Sequence, residues 1–342
     1  MFYKILLIII LLNLQGCSYK QDIKQNENLE IKNMQYFTVN FEYCKKQITS
    51  KYNKNQKISI PYHYNKQYHD DKEIYIYIEG DGIINSPSST FQLYLQDPAR
   101  NKAYIGRFGQ YNTSASFIYT HMKFKYSTIL LNTTAKLILE LCNQNSKIHL
   151  IGFSGGGVFA YYMHYALQNI IQNNQTSSIS KKNQENQTIT KKINQTIEYP
   201  CINHSNHTQT TSKPHQLISK KPKIQTIITI ASPININQFL ISQNIATNNN
   251  NIYNSIHKNT LRANIPTLHI YAQNDDIITT DLQDKYKKQI DDYSTTKSKL
   301  SKPKFITINY TDHYNILKHK DILTVIKNFQ HNNQDIKLTK NL

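Results

Sequence analysis

The chain has 342 residues, with 40 Lys and Arg against 22 Asp and Glu, a formal net charge of +18 and no Trp. Only Arg100, Arg107 and Arg262 are arginine, whereas nucleic-acid readers lean on arginine for bidentate contacts, so the charge argues against a nucleic-acid partner and for the lysine-rich bias of an AT-rich genome. Neither a metal site nor a cofactor is expected.

Residues 1–17, MFYKILLIIILLNLQGC, join an early Lys4 to an apolar run too short and wrongly flanked for a transmembrane helix, the pattern of a secretory signal. Its end, Leu14-Gln15-Gly16-Cys17, resembles the lipobox of bacterial lipoproteins. That resemblance implies that Cys17 is lipid-modified and becomes the first mature residue. Ser18, a residue other than Asp, then implies sorting to the outer membrane, with the domain facing the periplasm of a bacterial cell envelope. The following segment, 18–35, is polar without periodicity, as a tether would be. Cys44, Cys142 and Cys201 remain; an odd number leaves one thiol unpaired and the pair open.

One domain is expected from residue 36 to 335. Tyr36–Phe41, Lys57–His63 and Glu73–Ile78 read as strands, the last ending in Glu79-Gly80-Asp81-Gly82, a tight glycine loop. A short strand at Ala103–Ile105 leads into Gly106-Arg107-Phe108-Gly109-Gln110-Tyr111, and Tyr126–Leu141 has helical spacing. Lys147–Met163, KIHLIGFSGGGVFAYYM, reads as a buried strand, a sharp turn and a helix. From about 172 to 223 the chain is Asn, Gln, Ser, Thr and Lys, too polar to bury the surface that would offset its ordering entropy, and a disordered insertion is predicted. Strands are predicted at Ile224–Ile230, Ile265–Ala272 and Phe305–Tyr310, and helices at Asn237–Ile245, Asp281–Ile290 and Asn315–Phe329. Such alternation implies an α/β fold, a mainly parallel central sheet with helices on both faces.

Gly152-Phe153-Ser154-Gly155-Gly156 is a complete G-x-S-x-G. A serine at the apex of a strand-to-helix turn is strained and exposed, and Gly152 and Gly156 let the chain pass on either side of it. A phosphate loop is the competing pattern, but its spacing and its Lys-Ser/Thr are missing. A nucleophilic Ser154 needs a base and an acid, which follow in the order Ser, Asp, His in the α/β hydrolases. Asp275, after the strand ending at Ala272, is the predicted acid, with Asp276 as its rival one residue on. The loop Ala231–Asn235 holds no carboxylate. His313, between the last strand and the last helix, is the predicted base. The two oxyanion donors are expected to be the N–H groups of Gly155 and of Asp81 or Gly82. A carboxylate aimed at an oxyanion would oppose it, so Asp81's side chain is expected to turn away and bond within its own loop.

IYIEGDG, the Gly-Arg-Phe-Gly-Gln-Tyr segment, GFSGGG, the acid loop and the late histidine together resemble a family of largely uncharacterised bacterial α/β-hydrolase lipoproteins. There the second segment reads closer to Leu-Ala-Arg-Pro-Cys-Gln-Tyr. This chain keeps Arg107, Gln110 and Tyr111 but has Gly109 at the cysteine, which removes one partner of a disulfide usual in the family. The resemblance covers about 74–317 apart from the insertion and implies the α/β-hydrolase fold and a serine hydrolase, without identifying a substrate; a small-molecule or lipid ester as substrate and attachment to a membrane through the lipidated Cys17 are the expectations. A hydrolase-fold lipoprotein with a binding role and an acyltransferase using the same triad are the alternatives.

Overall fold

The computed structural model describes residues 34–42, 55–69, 71–81, 88–107, 110, 128–143, 146–180, 222–235, 239, 265–295 and 303–332. The signal-like start with Cys17, the tether up to residue 33, Gly82, most of the polar insertion and, apart from Phe239, the predicted helix at 237–245 lie outside the described residues.

EIYIYI, the sequence of β3 (Glu73–Ile78), shows how the sheet is built. Successive side chains of a strand point to opposite faces, so Ile74, Ile76 and Ile78 enter one apolar cluster while Tyr75 and Tyr77 enter another. β5 (Lys147–Phe153) repeats the division, Ile148 and Leu150 against Ile151 and Phe153. A strand apolar on both faces belongs in the middle of a parallel sheet covered on both sides. The remaining strands are β1 (Gln35–Glu42), β2 (Asn55–Tyr64), β4 (Lys102–Ile105), β6 (Lys223–Ile230), β7 (Thr267–Ala272) and β8 (Lys304–Ile308). They form one sheet in the order β1-β2-β4-β3-β5-β6-β7-β8. β2 runs antiparallel to both β1 and β4, and every other pairing is parallel. This is the α/β-hydrolase fold.

Five helices lie among the described residues: α1 (Ser89–Gln96), α2 (Thr128–Leu141), α3 (Gly155–Ser180), α4 (Thr280–Thr295) and α5 (Ile322–Asn332). Leu137 and Ile138 of α2, Val158 to Met163 of α3, and Tyr286 and Ile290 of α4 fill the cluster on the isoleucine face of β3. Phe91, Leu93 and Tyr94 of α1 and Ile322, Val325, Ile326 and Phe329 of α5 fill the other.

Two expectations are corrected and one element is added. α1 is the added element: Ser88 caps it by accepting the Phe91 N–H at 3.0 Å and Asp97-Pro98 stops it. α3 runs past residue 172 to Ser180, so the polar composition does not end the helix where predicted. The single helix expected at Asn315–Phe329 is a short 3₁₀ turn, Asn315–Lys318, followed by α5, with His319 extended between them. Cys142 is a buried free thiol, pushed up to about 12 by burial; Cys44 and Cys201 lie outside the described residues.

Candidate active site

Ser154 is the single residue between β5 and α3, with φ at 49°. That left-handed conformation costs a non-glycine residue of order 1–2 kcal/mol, and the surroundings hold it. The Ser154 N–H donates to Ile230 O at 2.8 Å and the Gly157 N–H donates to Ser154 O at 3.0 Å. A Cβ on Gly152 would run into the Gly156 carbonyl and into Gly157 N at 2.5 Å, and one on Gly156 would meet the carbonyls of Ile78 and Glu79. The spacing of the motif is therefore a packing requirement: the first turn of α3 sits directly on β5 and on the end of β3.

His313 lies in the turn after β8, only 2% exposed. Its Nε2 is 3.2 Å from Ser154 Oγ, and its Nδ1 is 3.0 Å from both carboxylate oxygens of Asp275. Asp275 is buried, while Asp276, the rival, is exposed. Asp275 Oδ1 also accepts the N–H groups of Ile277 at 2.9 Å and Ile278 at 2.7 Å. Gln283 of α4 ties that loop down by donating to Ile278 O at 2.7 Å. A carboxylate facing Nδ1 fixes the tautomer with the proton there, leaving Nε2 to accept from the serine.

The turn carrying His313 is held from both ends. Asp312 Oδ1 accepts the N–H groups of Tyr314 at 3.0 Å and Asn315 at 2.9 Å, and Oδ2 accepts Asn315 Nδ2 at 2.6 Å. Burial works against that carboxylate, but these bonds and His313 outweigh it and lower its pKa. The Phe153 ring lies 5.2 Å from the imidazole, centre to centre.

The loop after β3 reaches the same place. A Cβ on Gly80 would touch the Phe153 ring at 3.1 Å and its carbonyl at 3.3 Å, so the Gly80–Asp81 backbone is beside the elbow, as an oxyanion donor opposite Gly155 must be. The side chain of Asp81 has a partner that the sequence does not announce. Its carboxylate fills the space where a Cβ on Gly155 would stand and pairs with Arg107, Oδ1 to Nη2, at 3.4 Å; the residues of its own loop from Gly82 to Pro87 lie outside the described residues. The physical reason for the pairing is the 7% exposed Arg107, whose buried guanidinium calls for an anion.

Glu79 has no assigned role in the sequence, and it is the hub of this loop. It is 2% exposed and accepts from Gly80 N–H at 2.8 Å, Thr90 Oγ1 at 2.9 Å, Tyr104 OH at 2.7 Å and Ser88 Oγ. Burial raises its pKa, and these four donors offset only part of that. A carboxylate at the end of an otherwise apolar buried strand is the signal that could have flagged it.

No protein-family model matches the chain, and no curated protein matches its sequence. Among solved structures, it is similar to the esterase domain of a Rhodothermus marinus protein, 9% identical over 85% of this chain and 94% of that one, with a TM-score of 0.43. Est1E from Butyrivibrio proteoclasticus is 11% identical over 80% and 93%, with a TM-score of 0.44. An alpha-beta serine hydrolase homologue from Coxiella burnetii is 9% identical over 82% and 92%, with a TM-score of 0.38.

Proposed function

We propose that this chain is a serine hydrolase acting on ester bonds through an acyl-enzyme. The observation that carries the reading is one line of contacts: Ser154 Oγ on a left-handed elbow, 3.2 Å from an imidazole nitrogen whose partner nitrogen faces a buried carboxylate. Ser154 attacks the substrate carbonyl as His313 Nε2 takes its proton, and Asp275 stabilises the resulting imidazolium. The N–H groups of Gly155 and Asp81 receive the oxyanion. His313 then gives its proton to the departing alkoxide, and a water activated by the same imidazole releases the acid.

We propose further that the protein is held at a membrane by lipid on Cys17, a reading supported by the Leu14–Cys17 sequence, and that its substrate is a lipid or small-molecule ester. One experiment tests both halves. Activity on short p-nitrophenyl esters should follow the full-length protein into the membrane fraction and resist high salt, since inserted acyl chains are not screened whereas lysine-to-headgroup attraction is. Ser154→Ala should abolish it. Release by salt alone would remove the lipid anchor; turnover surviving in Ser154→Ala would remove the nucleophile.

A further inference from the structure

The segment after β4 has no part in the chemistry above, yet it grips the loop that does. Gln110 is 2% exposed; its Nε2 donates to the Gly80 carbonyl at 3.0 Å and its Oε1 accepts the Arg107 N–H at 2.6 Å. The Gln110 N–H in turn donates to Arg107 O at 3.0 Å. The turn is fastened to β2, since the Gly106 N–H donates to Pro61 O at 2.8 Å. The Gly80 carbonyl and the Asp81 N–H belong to one peptide plane, and that peptide is trans. Its two polar edges therefore point in opposite directions. Tying the carbonyl to Gln110 fixes where the Asp81 N–H points. The preceding N–H, that of Gly80, is fixed independently by Glu79.

Arg107 acts on the side chain of the same residue. Its guanidinium pairs with Asp81 and lies 3.9 Å from the centre of the Phe159 ring in α3. The Asp81 carboxylate is packed against Gly155, the other proposed donor. An uncompensated negative charge there would oppose an oxyanion forming at the same N–H groups; Arg107 supplies the compensation.

We propose that Gln110 and Arg107 are positioning residues for the oxyanion hole, Gln110 orienting the Asp81 N–H and Arg107 neutralising the Asp81 carboxylate beside it. The proposal rests on the hydrolase reading above. Both residues serve a charge that exists only in the transition state, so their loss should lower kcat and leave KM in place. The experiment measures kcat, KM and the affinity of a trifluoromethyl ketone, which forms a tetrahedral adduct with the serine, for the wild type and for Gln110→Met, Arg107→Met and Arg107→Met/Asp81→Asn. Gln110→Met should lower kcat and inhibitor affinity together, by about 100-fold, with KM within about twofold. Arg107→Met should lose a similar factor, and Asp81→Asn on top of it should recover most of the loss, because the buried charge has gone while the backbone N–H remains. A Gln110→Met enzyme with a lower melting temperature and unchanged kcat and inhibitor affinity would reduce Gln110 to packing. No recovery in the double variant would overturn the role of Arg107, and that arm still decides if Gln110→Met does not fold. An inactive wild type would instead overturn the hydrolase reading, and the clamp with it.

Discussion

At Ser154 a left-handed φ, a 3.2 Å contact to His313 and the buried Asp275 beyond it form one unit, so their losses should not add. His313→Ala should cost nearly as much kcat as Ser154→Ala, and the double variant little more than either. Asp275→Asn should lower kcat by about 10⁴-fold through the wrong imidazole tautomer, whereas Asp276→Asn, at an exposed position, should stay within a few-fold of wild type. Steady-state kinetics on one ester would check the ranking, and the reverse order for the two aspartates would move the acid. The sequence could narrow the acid to two adjacent residues because a loop after a strand is recognisable. It puts Asp275 first and keeps Asp276 as the rival, since one residue of loop register decides which carboxylate is buried. The pairing of Asp81 with Arg107 is hidden for a related reason: the two are remote in sequence and adjacent in space.

Among the elements, the strand-turn-helix around Ser154 was legible because glycines at fixed offsets answer a local packing demand. α1 was not, although its capping serine and its Asp-Pro stop are both present; eight residues give too short a run for periodicity to stand out. What seats α1 is Glu79, whose carboxylate gathers Ser88 and Thr90 at the helix start with Tyr104 of β4 and the Gly80 N–H. Glu79→Ala would leave buried donors without their acceptor and should cost about 2–4 kcal/mol in chemical denaturation. Glu79→Gln, which keeps one acceptor oxygen, should fall between it and wild type. A Glu79→Ala protein as stable as wild type would show that these donors find other partners at no cost.

For the molecule as a whole, the sheet could be anticipated from alternating apolar strands and helices, while the buried polar groups that set its pH response could not. Burial holds His149 and His164 at about 4, against an ordinary 6.5. The unfolded chain binds those protons first as pH falls, so the stability they contribute is complete above pH 6.5 and is lost between 6.5 and 4. Glu79 works the other way: its raised pKa means that the folded state takes up a proton first, and stability falls as pH rises through that shifted range. Each histidine accounts for up to about 3 kcal/mol across its window. His164→Leu should therefore flatten the acid limb of a melting-temperature profile between pH 6.5 and 4.5, and an unchanged slope would mean that His164 is already protonated in the folded protein.

The proposed chemistry depends on Ser154 being an activated nucleophile, and reaction with a fluorophosphonate tests that most directly. The wild-type protein should take up one phosphonyl group, mapped by peptide mass to Ser154. Labelling should vanish in Ser154→Ala and slow by orders of magnitude in His313→Ala, with the far-ultraviolet circular dichroism of both unchanged. A folded wild type that takes up no label, or takes it up at another serine, would contradict the assignment.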